Sequence, residues 1–178
     1  MGRPKQLLDF GGRPLLEIVV AQANDSQLDV VRVVIGARAD EIRARVDFGR
    51  ARVVVNDEHE SGMASSLRAG LSALDADVDA AMVILGDQPE GAGRINRLLE
   101  LERESGLPAA ALSFGGLLHP PVLLRRELWG DLMALEGDVG CRAIIRARPE
   151  LVATLDVEGL NHPVDVDTPE DYARLMAR

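Results

Sequence analysis

Ala81-Met82-Val83-Ile84-Leu85-Gly86-Asp87-Gln88-Pro89 is the stretch on which the reading of this chain turns. Five apolar residues in a row, closed by Gly and Pro, predict a short, fully buried strand of the kind found inside a parallel sheet. The character then flips to Gly86-Asp87-Gln88-Pro89 at the strand's carboxyl end, where open α/β sheets collect their ligands. A carboxylate on a tight turn there can hold a metal ion over a phosphate group. It can also cap a helix beginning near Gly91, and the stretch alone leaves both readings open.

Outward from this strand, apolar runs and helical spacings alternate. Residues 30–36 (VVRVVIG) are β-branched and end in Gly, and residues 52–55 form a second short strand. A helix is expected over 14–23, with Leu15, Ile18, Val19 and Ala23 on one side. Another is expected over 40–46, where Glu41 and Arg45 are spaced as an i,i+4 pair. A polar loop, residues 56–62, precedes a helix over 63–74 with Met63, Leu67, Leu71 and Leu74 along one face. Ser65 and Ser66 fall in its first turn, offering hydroxyls and amides to an anion or a sugar, although capping alone also favours serine there. His59 in that loop reads as a surface residue. Beyond the central stretch come a helix over 91–104, a strand over 108–114, a turn-rich segment 115–121 with apolar 122–124, and a helix over 126–135. Asp138 reads as the N-cap of a helix over 141–148; residues 151–155 form a last strand. Thr168-Pro169-Glu170-Asp171 is a strong helix start. Capping does not explain Asp165 and Asp167, which alternate with Val164 and Val166 and share one face of an extended segment. The alternation predicts one three-layer α/β domain over residues 1–178, Rossmann-like with a mainly parallel sheet and an antiparallel excursion near 108–135.

Bulk composition narrows the function. With 178 residues the chain is long enough for one domain with a proper core. A hydrophobic share of 47% comes without any run near the ~20 residues of a membrane span, and no leader pattern marks it for export. One cysteine, Cys141, excludes an internal disulfide framework and suits a reducing cytoplasm. A formal charge of −9 argues against nucleic-acid partners and makes an anionic substrate costly unless local cations reverse the field. Aromatic residues, at 3%, leave few platforms for base stacking.

Three features survive as candidate chemistry: a glycine-containing, basic start (Gly2, Arg3, Lys5), Asp87, and the pair Asp165 and Asp167. Two carboxylates from separate strand ends can hold one Mg²⁺ while leaving positions for phosphate oxygens and water. A nucleoside triphosphate carries about four negative charges, and each unit pair at 4 Å is worth about 4 kcal/mol at an effective dielectric of 20. Asp87 without a cation would repel such a substrate, so the arrangement suits metal-assisted nucleotidyl transfer.

Six segments in order, Gly2-Arg3-Pro4-Lys5-Gln6-Leu7-Leu8, Gly62-Met63-Ala64-Ser65-Ser66-Leu67, Leu85-Gly86-Asp87-Gln88-Pro89, His119-Pro120, Gly137-Asp138-Val139-Gly140-Cys141-Arg142 and Asp165-Val166-Asp167-Thr168-Pro169-Glu170-Asp171, resemble the motifs of the molybdenum cofactor cytidylyltransferases. That family belongs to the molybdenum-cofactor nucleotidyltransferases, whose fold is glycosyltransferase-A-like. The resemblance implies transfer of CMP from CTP to the molybdenum–molybdopterin cofactor with release of pyrophosphate, and a molybdenum hydroxylase as recipient of the product. It implies Lys5 and Arg3 on the triphosphate, and Asp87 as the principal Mg²⁺ ligand with Asp167, or Asp165, as the second. Gly2, Gly62, Ser65 and Ser66 are implied to line the nucleotide pocket, and His119, Asp138 and Arg142 the pterin side. Cys141, where the family usually carries a small residue, reads as core.

The family opens with a strand and a glycine-rich loop just before the lysine motif, whereas Met1 lies four residues before Lys5. The expectation is that a further upstream segment supplies that strand. Other readings keep the fold with a different substrate (GTP on the same cofactor, or a sugar-phosphate acceptor) or make the chain a non-catalytic carrier of the molybdenum cofactor.

Overall fold

The structure, a computed structural model, describes residues 4–157. Gly2, Arg3, Asp165, Asp167 and the closing helix start at Thr168 lie outside the described residues.

A two-residue hairpin, β1 (Asp9–Phe10) with β2 (Arg13–Pro14), leads into α1 (Leu15–Asn24). There follow β3 (Arg32–Ile35), α2 (Ala39–Arg45), β4 (Arg52–Val55), α3 (Met63–Ser72) and β5 (Ala80–Val83). After α4 (Ala92–Ser105) the chain forms β6 (Ala109–Phe114) and β7 (Leu117–Arg125), then α5 (Trp129–Met133), α6 (Arg142–Ala147) and β8 (Val152–Asp156). β3 pairs parallel with β4, while the other strands run in the order β5-β7-β6-β8. β6 is parallel to β8, and β7 is antiparallel to both β5 and β6. In that sheet β7 alone is reversed, which is the expected antiparallel excursion.

Strand alternation sets the layers. Val33 and Ile35 pack with Leu16 and Val20 of α1. Val34 points the other way, its Cγ2 3.1 Å from where a Cβ on Gly70 of α3 would sit. On β5, Ala81 and Val83 join Leu67, Leu71 and Leu74 of the α3 segment, whereas Ala80 and Met82 pack into the cluster that holds Leu98 of α4. Helix α3 therefore covers β3 and β5 together on one face, and α1 and α4 lie in contact on the other. The result is a three-layer α/β domain. Its centre holds Leu98, Leu112, Leu123 and Leu124, all fully buried, each contributing about 1.5–3 kcal/mol by burial.

Two expectations need correction. The central strand is neither fully buried nor in parallel pairing: β5 is half-buried along its length and bonded to the reversed strand β7. Its other edge has no ladder partner among the described residues, because β3–β4 and β5–β8 form separate sheets within one layer. The strand also stops at Val83, leaving Ile84 and Leu85 in the turn approach. The second correction concerns Asp138: α6 begins at Arg142 with Cys141 as N-cap and no side-chain cap, so Asp138 caps nothing there.

β7 hides behind Pro120-Pro121. Prolines cannot donate to a ladder and usually mark an edge. Here the pairing skips both, jumping from Ala111–Val122 to Leu112–His119 across an irregularity that absorbs them.

Candidate active site

Asp87 sits on the turn that follows β5, half-buried, with Gln88 buried behind it and the Gln88 N–H donating to Leu85 O at 3.2 Å. The capping alternative fails on geometry. Helix α4 starts at Ala92 with Gly91 as N-cap and no side-chain cap, and the Gly91 N–H is taken by Gln22 Oε1 of α1 at 2.9 Å. Glu90, three residues on, is no substitute ligand. Its side chain is almost completely buried and paired with Arg94, and burial raises its pKa above the ordinary carboxylate value.

Lys5 opens a 3₁₀ turn, Lys5–Leu7. Leu7 is buried in the same cluster as Leu16 of α1. Leu16 in turn lies against the Asp87 turn, its Cδ1 3.0 Å from the Cβ position of Gly86. One apolar cluster thus anchors the backbone of the Lys5 turn and reaches the Asp87 turn.

The polar loop between β4 and α3 is held by a set of side-chain hydrogen bonds. Asn56 continues the parallel ladder by donating its N–H to Ile35 O (2.8 Å) and is 4% exposed. Its Nδ2 donates to Ser65 Oγ (2.8 Å) and Ser66 Oγ (3.0 Å), and its Oδ1 accepts from the Glu58 N–H at 3.0 Å. Ser65, buried, donates its hydroxyl to Gly62 O at 2.8 Å. Capping therefore does not explain these serines: the N-cap of α3 is Gly62 and no side-chain cap bond forms. By sequence alone Asn56 reads as a loop residue, since its partners lie nine and ten positions downstream.

Glycine is required where this loop meets its neighbours. A Cβ on Gly36, at the end of β3, would stand 2.3 Å from His59 Cβ. Gly62 has φ +104°, and a Cβ there would lie 2.3 Å from the carbonyl carbon of Gly137. The Ala64 N–H donates to Gly137 O at 3.1 Å, so the segment carrying Gly137 and Asp138 is tied to the start of α3. Ser61, Arg68, Met133, Leu135, Glu136 and Gly137 line a cleft of about 420 Å³ beside this junction. Asp138 and Arg142 are exposed on the same segment and on α6. His119 is half-buried on β7, paired across the sheet with Leu112. Cys141 is buried, as its reading as core requires, and burial pushes its thiol up to about 11.

Among the described residues no three His, Cys, Asp or Glu side chains converge as a ready-made metal cage. Hard divalent cations are held by one or two carboxylates and completed by phosphate oxygens and water, and Asp87 presents one carboxylate on the turn after β5.

Residues 1–153 match the MobA-like NTP transferase domain. The chain belongs to that family. This MobA-like protein is a nucleotidyltransferase, and it resembles several known proteins over nearly its whole length. Nicotine blue oxidoreductase of Paenarthrobacter nicotinovorans is 34% identical over 190 residues, covering 99% of this chain and 90% of that protein. The crystal structure of the Rv0371c homologue from Mycobacterium sp. strain JC1 superposes with a TM-score of 0.86 at 32% identity, covering 99% of this chain and 88% of that one. Rv0371c of Mycobacterium tuberculosis H37Rv, solved in complex with manganese, gives a TM-score of 0.84 at 27% identity, covering 99% and 94%. No helix among the described residues is long and apolar enough to cross a membrane.

Proposed function

We propose that this MobA-like nucleotidyltransferase transfers CMP from CTP to the terminal phosphate of the molybdenum–molybdopterin cofactor, releasing pyrophosphate. The carrying observation is Asp87, on the turn after β5 and excluded from a capping role by Gly91 and Gln22. A bound Mg²⁺ would supply Lewis-acid neutralisation of the triphosphate. Manganese in Rv0371c supports a divalent ion at a fold of this kind. Lys5 and Arg3 would steady the triphosphate as point charges, and Asp87, with Asp167 or Asp165, would hold the metal. Gly2, Gly62, Ser65 and Ser66 would serve the nucleotide, and His119, Asp138 and Arg142 the pterin. An oxygen of the acceptor phosphate forms the new bond to the α-phosphorus of CTP, the α–β bridging bond breaks, and pyrophosphate leaves. The residues' task is positioning and charge, so no protein nucleophile is needed.

The split of the sheet supports a further strand in this protein. α3 covers β3 and β5 together, and Leu16 of α1 packs with β3 and lies against the Asp87 turn, yet among the described residues the two strands belong to separate ladders. A strand between them, carrying a glycine-rich loop at its end, would complete one sheet and add backbone amides beside Asp87.

The deciding experiment compares CTP, GTP, ATP and UTP for Mg²⁺-dependent pyrophosphate release with molybdenum–molybdopterin as acceptor. CTP should be the preferred donor, and Asp87→Ala should abolish release. Preference for GTP would move the reading to guanylyl transfer. Release of no pyrophosphate with any nucleotide would overturn it in favour of a carrier, or of redox chemistry such as the name of the Paenarthrobacter relative denotes.

A further inference from the structure

We propose that Asn56 is a positioning residue that fixes the Ser66 hydroxyl as a hydrogen-bond donor toward an acceptor oxygen of the nucleotide, acting through Ser66 without touching the ligand. The inference rests on the reading above, that nucleotide lies at the start of α3.

The argument is one of hydrogen-bond polarity. An asparagine amide has an acceptor oxygen and two N–H donors. The backbone N–H of Glu58, 3.0 Å from Oδ1, can only donate, so it dictates which way the amide faces. Nδ2 therefore points at the serines, and its two hydrogens are consumed by Ser65 Oγ and Ser66 Oγ. Asn56 is buried, both Nδ2 hydrogens are used, and its backbone N–H is bonded to Ile35 O at the end of β3. It has no side-chain donor left to offer a ligand.

Each serine oxygen accepts from Asn56, so each hydroxyl must direct its hydrogen elsewhere. Ser65 gives its hydrogen to Gly62 O. Ser66 is half-buried, and no acceptor for its hydrogen is present among the described residues. The neighbouring amide thus presets its polarity: toward the site it shows O–H. Phosphate, ribose and pyrimidine carbonyl oxygens satisfy such a group, whereas an amino group does not.

Asn56→Asp inverts this arrangement with little change in shape. One carboxylate oxygen keeps the Glu58 N–H, but the other can only accept. Both serines then turn their hydrogens inward, and Ser66 shows the nucleotide only lone pairs. CTP affinity in the presence of Mg²⁺, measured by calorimetry, should fall about tenfold in Asn56→Asp and about three- to tenfold in Ser66→Ala, the range of one hydrogen bond. The double variant should be no weaker than Asn56→Asp alone, because residues acting as one unit do not add. In steady-state kinetics the loss should appear in KM for CTP rather than in kcat, a split that a general loss of folded protein would not give. Effects that multiply in the double variant, or wild-type affinity in Asn56→Asp or Ser66→Ala, would overturn the proposal. If Asn56→Asp fails to fold, Asn56→Ala takes its place in the same cycle with the same criteria. Wild-type protein that binds no CTP would instead refute the parent reading.

Discussion

Gly62→Ala tests how the site is held together. Gly62 adopts φ 104° and ψ 178°, a region essentially reserved for glycine, where another residue costs about 1–3 kcal/mol. A methyl group there would stand 2.3 Å from the carbonyl carbon, 2.4 Å from the oxygen of Gly137 and 2.7 Å from the nitrogen of Asp138. Those are backbone atoms, so relief requires the two segments to part. Parting breaks the Ala64 N–H to Gly137 O bond, worth about 0.5–1.5 kcal/mol net. The combined cost is about 2–4 kcal/mol, or a fall in Tm of about 5–15 °C for a chain of this size. Urea unfolding monitored by circular dichroism measures it. Gly93→Ala is the control: it lies in the first turn of α4 with no atom within 4 Å of a Cβ, and should be neutral or stabilising by up to about 1 kcal/mol. Equal stabilities for the two variants would refute the interlock.

Leu98→Ala, at a fully buried position between α4 and the sheet, should cost about 2–5 kcal/mol in the same assay. Cys141, its thiol raised to about 11 by burial, should label with iodoacetamide at pH 8 at least about tenfold more slowly in the native protein than in urea. The raised pKa favours the neutral thiol in the fold, so the linked stability is present below about pH 9 and is lost as pH climbs toward about 11; unfolding midpoints across pH 8–11, with Cys141→Ala as reference, read it.

Much of this was legible in the residues. β3 and β4 follow from their β-branched runs, α3 and α4 from apolar spacing, and Asp87 from a carboxylate placed just past an apolar run. Direction was not legible: an apolar stretch reads the same in parallel and antiparallel pairing, so the partnership of β5 with a reversed β7 had no local signature. Nor was the extent of β7, because Pro120 and Pro121 argue against a strand that tolerates them only through an irregular register. Asn56 was missed for a related reason. Its importance lies in three bonds created when α3 folds back over β4, and no periodicity encodes them. Asp138 invited an N-cap reading by type and position, yet its segment is drawn toward Gly62 and α6 begins beyond it.

Metal binding tests the central claim most directly. Mn²⁺ titrated into protein with CTP, followed by electron paramagnetic resonance of the free ion, should show one tight site in the wild type and its loss in Asp87→Ala with the fold intact. Undiminished Mn²⁺ affinity in a folded Asp87→Ala protein would contradict the account.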